Sequence, residues 1–346
     1  MKEEEKPTQK PEYIKEPLSR RAFIARTGAV AGVTAAASYL ALAPEQWPGS
    51  MGDSTGLRSK PEFRPLTLRD FRVPKPATVM DAGIGRGGTT EQRLRKALDV
   101  IGGLDHYIEP GDIVLLKPNV AFDRSPNLGA TTNPEVLEAL IRMLLVDCRA
   151  QEVRVTDNPI ESPSDCFAKS GVALATQRAG GRVYLPDSNA FKMLNTPGAK
   201  LIENWWFLNR PFTNVDKVIG VAPVKDHNLC FASMGIKNWY GLLGGRRNQF
   251  HQDIHTIVAD LSMMLKPTLT ILDGTHVLMK NGPTGGDPSD VKPGDAILAG
   301  VDPVAMDAWA FEHLLGRGRE YPAYLAKAEE RGSGRVDWQG RIGERV

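Results

Sequence analysis

The stretch Asp112-Ile113-Val114-Leu115-Leu116-Lys117-Pro118-Asn119 decides the fold. An unbroken apolar run too short for a helix reads as a strand buried on both faces, which is the pattern of a parallel sheet covered by helices. It ends abruptly in a cation, a proline and an amide, so a polar loop leaves the strand's carboxyl end.

Outward from this strand the same alternation repeats. Ala77 to Met80 reads as a strand and Thr89 to Ile101 as a helix. Asn133 to Val146 reads as a helix started by an Asn cap with Pro134 in its first turn. Strands are expected at Glu152–Thr156, Val215–Val221, Thr268–Leu272 and Ala296–Ala299. Helices are expected over Asp253–Leu265 and over Val304–Leu315, the latter capped by Asp302 with Pro303 following. Strands separated by helices of this length need crossover connections. The sequence therefore predicts an α/β fold, a largely parallel sheet with helices on both faces, over residues 77–330. Residues 331–346 read as a C-terminal tail, and residues 44–76, rich in proline, glycine and charge, as a linker and lead-in.

The first 43 residues are of another kind. Ser19-Arg20-Arg21-Ala22-Phe23-Ile24 matches the twin-arginine export consensus, and the uncharged Ala/Gly-rich run Thr27–Ala43 follows Arg26. That run is shorter and less apolar than the ~20 residues a spanning helix needs. A twin-arginine signal implies passage through the twin-arginine translocase in the folded state and a periplasmic or other extracytoplasmic location. Ala41-Leu42-Ala43 has the form of a cleavage site, but Pro44 follows it. An uncut segment would act as an N-terminal membrane anchor.

The chain has 346 residues with 43 basic and 41 acidic side chains. Removing the signal leaves equal numbers of each, 36 and 36. A domain without a cationic surplus has no footprint for nucleic acid. The three cysteines, Cys148, Cys166 and Cys230, are widely spaced and too few for a conventional iron–sulfur cluster, which takes four thiolates. Cys148 falls in an apolar helical pattern and reads as a buried thiol.

In sheets of this kind ligands bind at the carboxyl ends of the strands. Four strand ends deliver polar clusters: Lys117-Pro118-Asn119, Asp157-Asn158-Pro159, Lys225-Asp226-His227 and Asp273-Gly274-Thr275-His276. Any one of them is explained by turn chemistry, but four together point to a shared site.

Taken in order, V-L-L-K-P-N, T-N-P-E-V-L-E-A-L, V-K-D-H, G-I-K-N-W-Y-G-L-L-G, I-L-D-G, N-G-P and G-V-D-P-V-A-M-D-A resemble the family called domain of unknown function 362, from about Val79 to Leu315. The resemblance implies the α/β fold and places Lys117, Asn119, Lys225, His227, Lys237, Asn238 and Asp273 at the family's motif positions. It supplies no reaction. Many members carry a ferredoxin-like domain with cysteine-ligated clusters, and this chain lacks those cysteines.

Two chemistries compete. Lys117, Lys225, Lys237, Arg246 and Arg247 fall near loops of one sheet edge, with Gly235, Gly241, Gly244 and Gly245 letting backbone N–H groups approach a ligand. Together they could cradle a carboxylate or phosphate, with Asn119, Asp157 and Asn238 orienting it and Asp273, His227 or Lys237 as acid or base. Alternatively His251 and His255, four apart with Asp253 between, could hold a divalent metal on one helix face. The Gly-rich loop Asn281–Asp287 reads as a cover over a site.

The expected function is that of an exported enzyme acting on a small anionic substrate, with a divalent metal as candidate helper. The alternative is a non-catalytic ligand- or cofactor-binding protein, or an accessory protein of a membrane or respiratory complex. Trp205-Trp206-Phe207 could supply a docking patch for the latter, though an aromatic run packed under a loop is the plainer reading.

Overall fold

A computed structural model of the chain describes residues 65–346. The twin-arginine segment and residues 44–64 of the linker lie outside the described residues.

The apolar run after Asp112 forms β2 (Ile113–Pro118), which sits inside a nine-stranded sheet. The sheet runs β11 (Ile342–Arg345), β1 (Ala82–Arg86), β10 (Val291–Gly300), β9 (Leu269–Leu278), β7 (Lys217–His227), β2, β3 (Glu152–Val155) and β4 (Arg182–Val183), with β8 (Phe231–Ser233) folded back on β7. The block β9-β7-β2-β3-β4 is parallel throughout. Antiparallel pairing is confined to β8 on β7 and to β10 with its two neighbours. A separate two-stranded sheet joins β5 (Phe191–Asn195) to β6 (Asn204–Leu208).

Side chains of β2 alternate between two cores, as burial on both faces requires. Val114 and Leu116 pack with α1 (Thr90–Val100), α2 (Pro134–Arg142), α3 (Pro163–Lys169) and α4 (Val172–Arg178). Leu115 faces the opposite way, into the core formed by α5 (Gly235–Asn238), α6 (Ile254–Met264), α7 (Pro303–His313) and α8 (Ala323–Glu330). The fold is α/β, with a mostly parallel sheet and helices on both faces.

Local signals place the helix starts. Thr89 accepts from the Gln92 N–H and Gln92 bonds back to the Thr89 N–H, a capping box for α1. Asn133 caps α2 ahead of Pro134, and Asp302 caps α7 ahead of Pro303.

Several boundaries differ from expectation: β7 runs on through Lys225 to His227 and β9 through Asp273 to Leu278, so those two polar clusters lie within strands and not in loops after them. Ala77–Met80 holds a turn, and the strand lies at Ala82–Arg86. That strand carries Gly83 and Gly85 because α1 lies against it: a Cβ on Gly85 would sit 1.9 Å from the Arg93 carbonyl oxygen. Glycine at this close approach dilutes the apolar signal. Residues 331–346 are part of the domain and no tail. They supply β11, parallel to β1, and Arg341, whose guanidinium reaches Asp81 at 2.7 Å and Asp302 at 2.8 Å. Among the described residues no helix is long and apolar enough to cross a membrane.

Candidate functional site

The chain leaves β2 to build β3 and β4 on one side, then returns to place β7 on the other. This reversal opens a crevice at the carboxyl ends of β2 and β7, where ligands bind in open α/β sheets. A cavity of about 70 Å³ lies there. Its walls include Lys117, Asn119, Asp157, Lys225, His227, Lys237 and Asn238, so seven residues singled out from the sequence meet in one place.

Four cations and one carboxylate are buried in these walls. Lys117 and Lys225 are each 1% exposed, Lys237 is 9% exposed, and Arg247 and Asp157 are also buried. A desolvated charge is costly unless paired, and most of these are paired. The Lys117 Nζ donates to Asp157 Oδ1 at 2.8 Å and to Asn238 Oδ1 at 2.9 Å. The Asn238 Nδ2 returns a bond to the Lys117 carbonyl, and its Oδ1 also accepts from Asn119 Nδ2. The Asn119 Oδ1 in turn accepts from Lys225 Nζ at 3.2 Å, and Lys225 donates again to the Ala130 carbonyl. Asp157 is saturated by Lys117, the Val120 N–H and the Asn158 N–H. Room for the ion pair depends on Gly241, where a Cβ would fall 1.9 Å from Asp157 Oδ1.

Lys237 is the exception. Its ammonium has no hydrogen-bond acceptor among the described residues and lies over the Tyr240 ring, 5.3 Å from the centroid. Burial, joined by the nearby Arg247 charge, drives its proton affinity down. Burial lowers Lys117 as well, against the pull of Asp157, and it lowers Lys225 further because Lys237 and Lys117 add repulsion. His227 accepts the Leu229 N–H on Nδ1 at 3.1 Å, which leaves the proton of the neutral ring on Nε2. Burial and the neighbouring lysines push this imidazole down to about 2. His227 is therefore a neutral donor at ordinary pH.

Lys237 and Asn238 ride on α5, a single turn too short to persist unaided. Asp307 of α7 holds it, accepting the Gly235 N–H at 2.8 Å and the Ile236 N–H at 3.1 Å. Burial raises the Asp307 carboxyl to about 7.

Other expected site residues lie elsewhere. Asp273 is outside the cavity, and its carboxylate is engaged by the Asn133 N–H and by the N–H and hydroxyl of Thr275. It ties β9 to the start of α2, and no proton-transfer role follows from that position. Arg247 spends its guanidinium on the carbonyls of Tyr240, Leu243, Asn158 and Pro159, so it clamps two loops. Arg246 is exposed and does not line the cavity.

The three residues read as metal ligands also come apart. The chain is a 3₁₀ turn from Arg247 to Asp253 and becomes α-helical only at Ile254, so the four-residue spacing does not put His251 and His255 on one face. His251 edges the lysine cavity, Asp253 caps α6 through the Thr256 N–H, and His255 stacks near Phe231 and Tyr324 beside another pocket. Among the described residues no three His, Cys, Asp or Glu side chains form a metal-holding group. These donors do not fit a metal ion, and no step is derived through one.

The cavity also takes Phe122, Ser233, Tyr240 and Pro283, which sequence reasoning missed as site residues. Pro283 comes from the Gly-rich 281–287 loop, whose expected place over a site was the available signal. Trp205 packs under the loop that follows α5, its indole N–H donating to the Gly244 carbonyl at 3.0 Å.

Residues 114–312 match the family described as Domain of unknown function (DUF362), and the chain belongs to that family. A thylakoid-associated protein of Synechocystis sp. is 28% identical over 250 residues, covering 67% of this chain and 72% of that protein. Among solved structures, the lactate racemase apoprotein from Thermoanaerobacterium thermosaccharolyticum aligns at TM-score 0.36 and 16% identity over 76% of this chain. A Thermotoga maritima protein aligns at TM-score 0.35 and 14% identity over 72% of this chain. The alignments span 58% and 60% of those two structures.

Proposed function

We propose that this chain is an exported enzyme that takes a small anion into the lysine cavity and acts on it beside Lys237. The observation that carries the reading is the charge imbalance: four buried cations converge with a single carboxylate, and one ammonium has no partner. A buried ammonium facing a cavity is satisfied by an anion, through a charge-assisted hydrogen bond. The site's size sets the ligand's. At roughly 10–15 Å³ per water-sized group, a space of about 70 Å³ takes a handful of heavy atoms. That suits a short carboxylic acid better than a nucleotide.

A second reading, a binding protein without turnover, is favoured by one observation. Asp157, the cavity's one carboxylate, is saturated by Lys117 and two backbone N–H groups, and Asp273 lies outside the cavity, so no carboxylate there is free to act as a base. Location follows from the Arg20-Arg21 motif. The relative named for thylakoid association agrees with a protein that works at a membrane system.

Calorimetric titration of the purified chain with acetate, propionate and inorganic phosphate tests the anion reading. One anion is expected to bind per chain, about tenfold or more weakly in Lys237→Met, since a hydrogen bond to a charged group is worth about 1.5–3 kcal/mol. Equal affinity in both proteins, or none in either, would sink it. Export is tested separately: changing Arg20 and Arg21 to Lys should leave the chain in the cytoplasm.

A further inference from the structure

We infer that Lys237 is a nucleophile that forms an imine with the carbonyl of a short 2-oxo acid whose carboxylate occupies the same cavity. The inference rests on the anion reading above and names the substrate class.

The three cavity lysines are not equivalent. Lys117 is held by Asp157 and Asn238, and Lys225 by Asn119 and Ala130. Both nitrogens are committed to those acceptors, so neither is free to turn toward a molecule in the cavity. Lys237 has no acceptor among the described residues, is nine-tenths buried, and points into the cavity past the face of Tyr240. Burial and the nearby Arg247 charge ease proton loss from this ammonium, so after meeting the carboxylate it can release a proton to solvent and attack the carbonyl carbon as the free base. The cavity admits about one three-carbon acid by the volume argument, so the carboxylate and carbonyl of one molecule would both lie among these side chains. His227, a neutral ring with its proton on Nε2, lines the same wall and supplies a donor for a carbonyl oxygen.

The step balances without a further reagent. The Lys237 nitrogen lone pair forms a C–N bond to the carbonyl carbon while the carbonyl π electrons move to oxygen. The carbinolamine then loses that oxygen as water, which carries away the two amine hydrogens. No oxidation change occurs.

The test is reductive trapping. Full-length protein is incubated with pyruvate and cyanoborohydride, digested and mapped by mass spectrometry, with propionate as the competitor that has the carboxylate but no carbonyl. The expected result is a carboxyethyl group principally on Lys237, suppressed by propionate and lost in Lys237→Arg, a variant that keeps the charge and is checked for folding by its thermal transition. Label spread over exposed lysines, with Lys237 no higher than they are, overturns the imine. If propionate still binds in that case, the anion reading survives alone. If propionate neither binds nor competes, both fall.

Discussion

The Lys117–Asp157 pair, each side chain about 1% exposed, is the residue on which the cavity's geometry turns. A single-partner deletion leaves an uncompensated buried charge, which costs about 3–5 kcal/mol. Asp157→Asn and Lys117→Met should each lower urea-unfolding stability by that order. The double variant should recover part of the loss, because neither charge is then left alone. If the two single effects simply add, the pair is not coupled and the network described here is wrong. Lys117 and Lys225 could be found from the sequence because each ends an apolar run that a buried strand explains, and Asp157 because it follows the alternating strand pattern Glu152–Thr156. Asp273 could not be told from them. A strand-end position does not say which way a carboxylate turns, and this one turns to the Asn133 and Thr275 donors.

The element that matters most is α5, a four-residue helix whose placement depends on a residue about seventy positions later. The Asp307 carboxyl is raised by burial from 3.8 to about 7, so the folded state holds its proton more tightly than the unfolded chain. The stability this contributes is full below pH ~4 and is lost as pH rises through about 7, by up to ~1.4 kcal/mol per pH unit over that window. Thermal unfolding of the wild type should therefore fall relative to Asp307→Asn between pH 4 and 8, a comparison in which the titrating groups remote from Asp307 cancel. A constant difference across that range would contradict the assignment. The sequence offered no route to this contact. Asn-Pro and Asp-Pro starts are local signals and were legible for α2 and α7, whereas Asp307 acts across the fold. The same limit misplaced the metal ligands, since a 3₁₀ turn and an α-helix share composition but not the spacing of side chains around the axis.

At the scale of the whole molecule, the sheet's strand order is what brings the site together, and the C-terminal residues close its far edge. Removing residues 337–346 takes away β11 and Arg341, leaving Asp302 without its cation, Asp81 with Lys75 alone, and the outer edge of β1 unpaired. The truncated chain should unfold at lower temperature and aggregate; unchanged melting and solubility would restore the reading of this segment as a tail. The class of fold was legible because buried parallel strands are recorded as unbroken apolar runs. The edges were not, because Gly83 and Gly85 in β1 and the mixed polarity of β11 answer to neighbours far along the chain. The central claim, an anion held among the cavity lysines, is tested most directly by anomalous diffraction from crystals soaked in bromide. The account predicts an ordered bromide in the cavity against Lys237, absent from Lys237→Met crystals treated alike. Bromide found only on surface cations, with the cavity holding none, would contradict it.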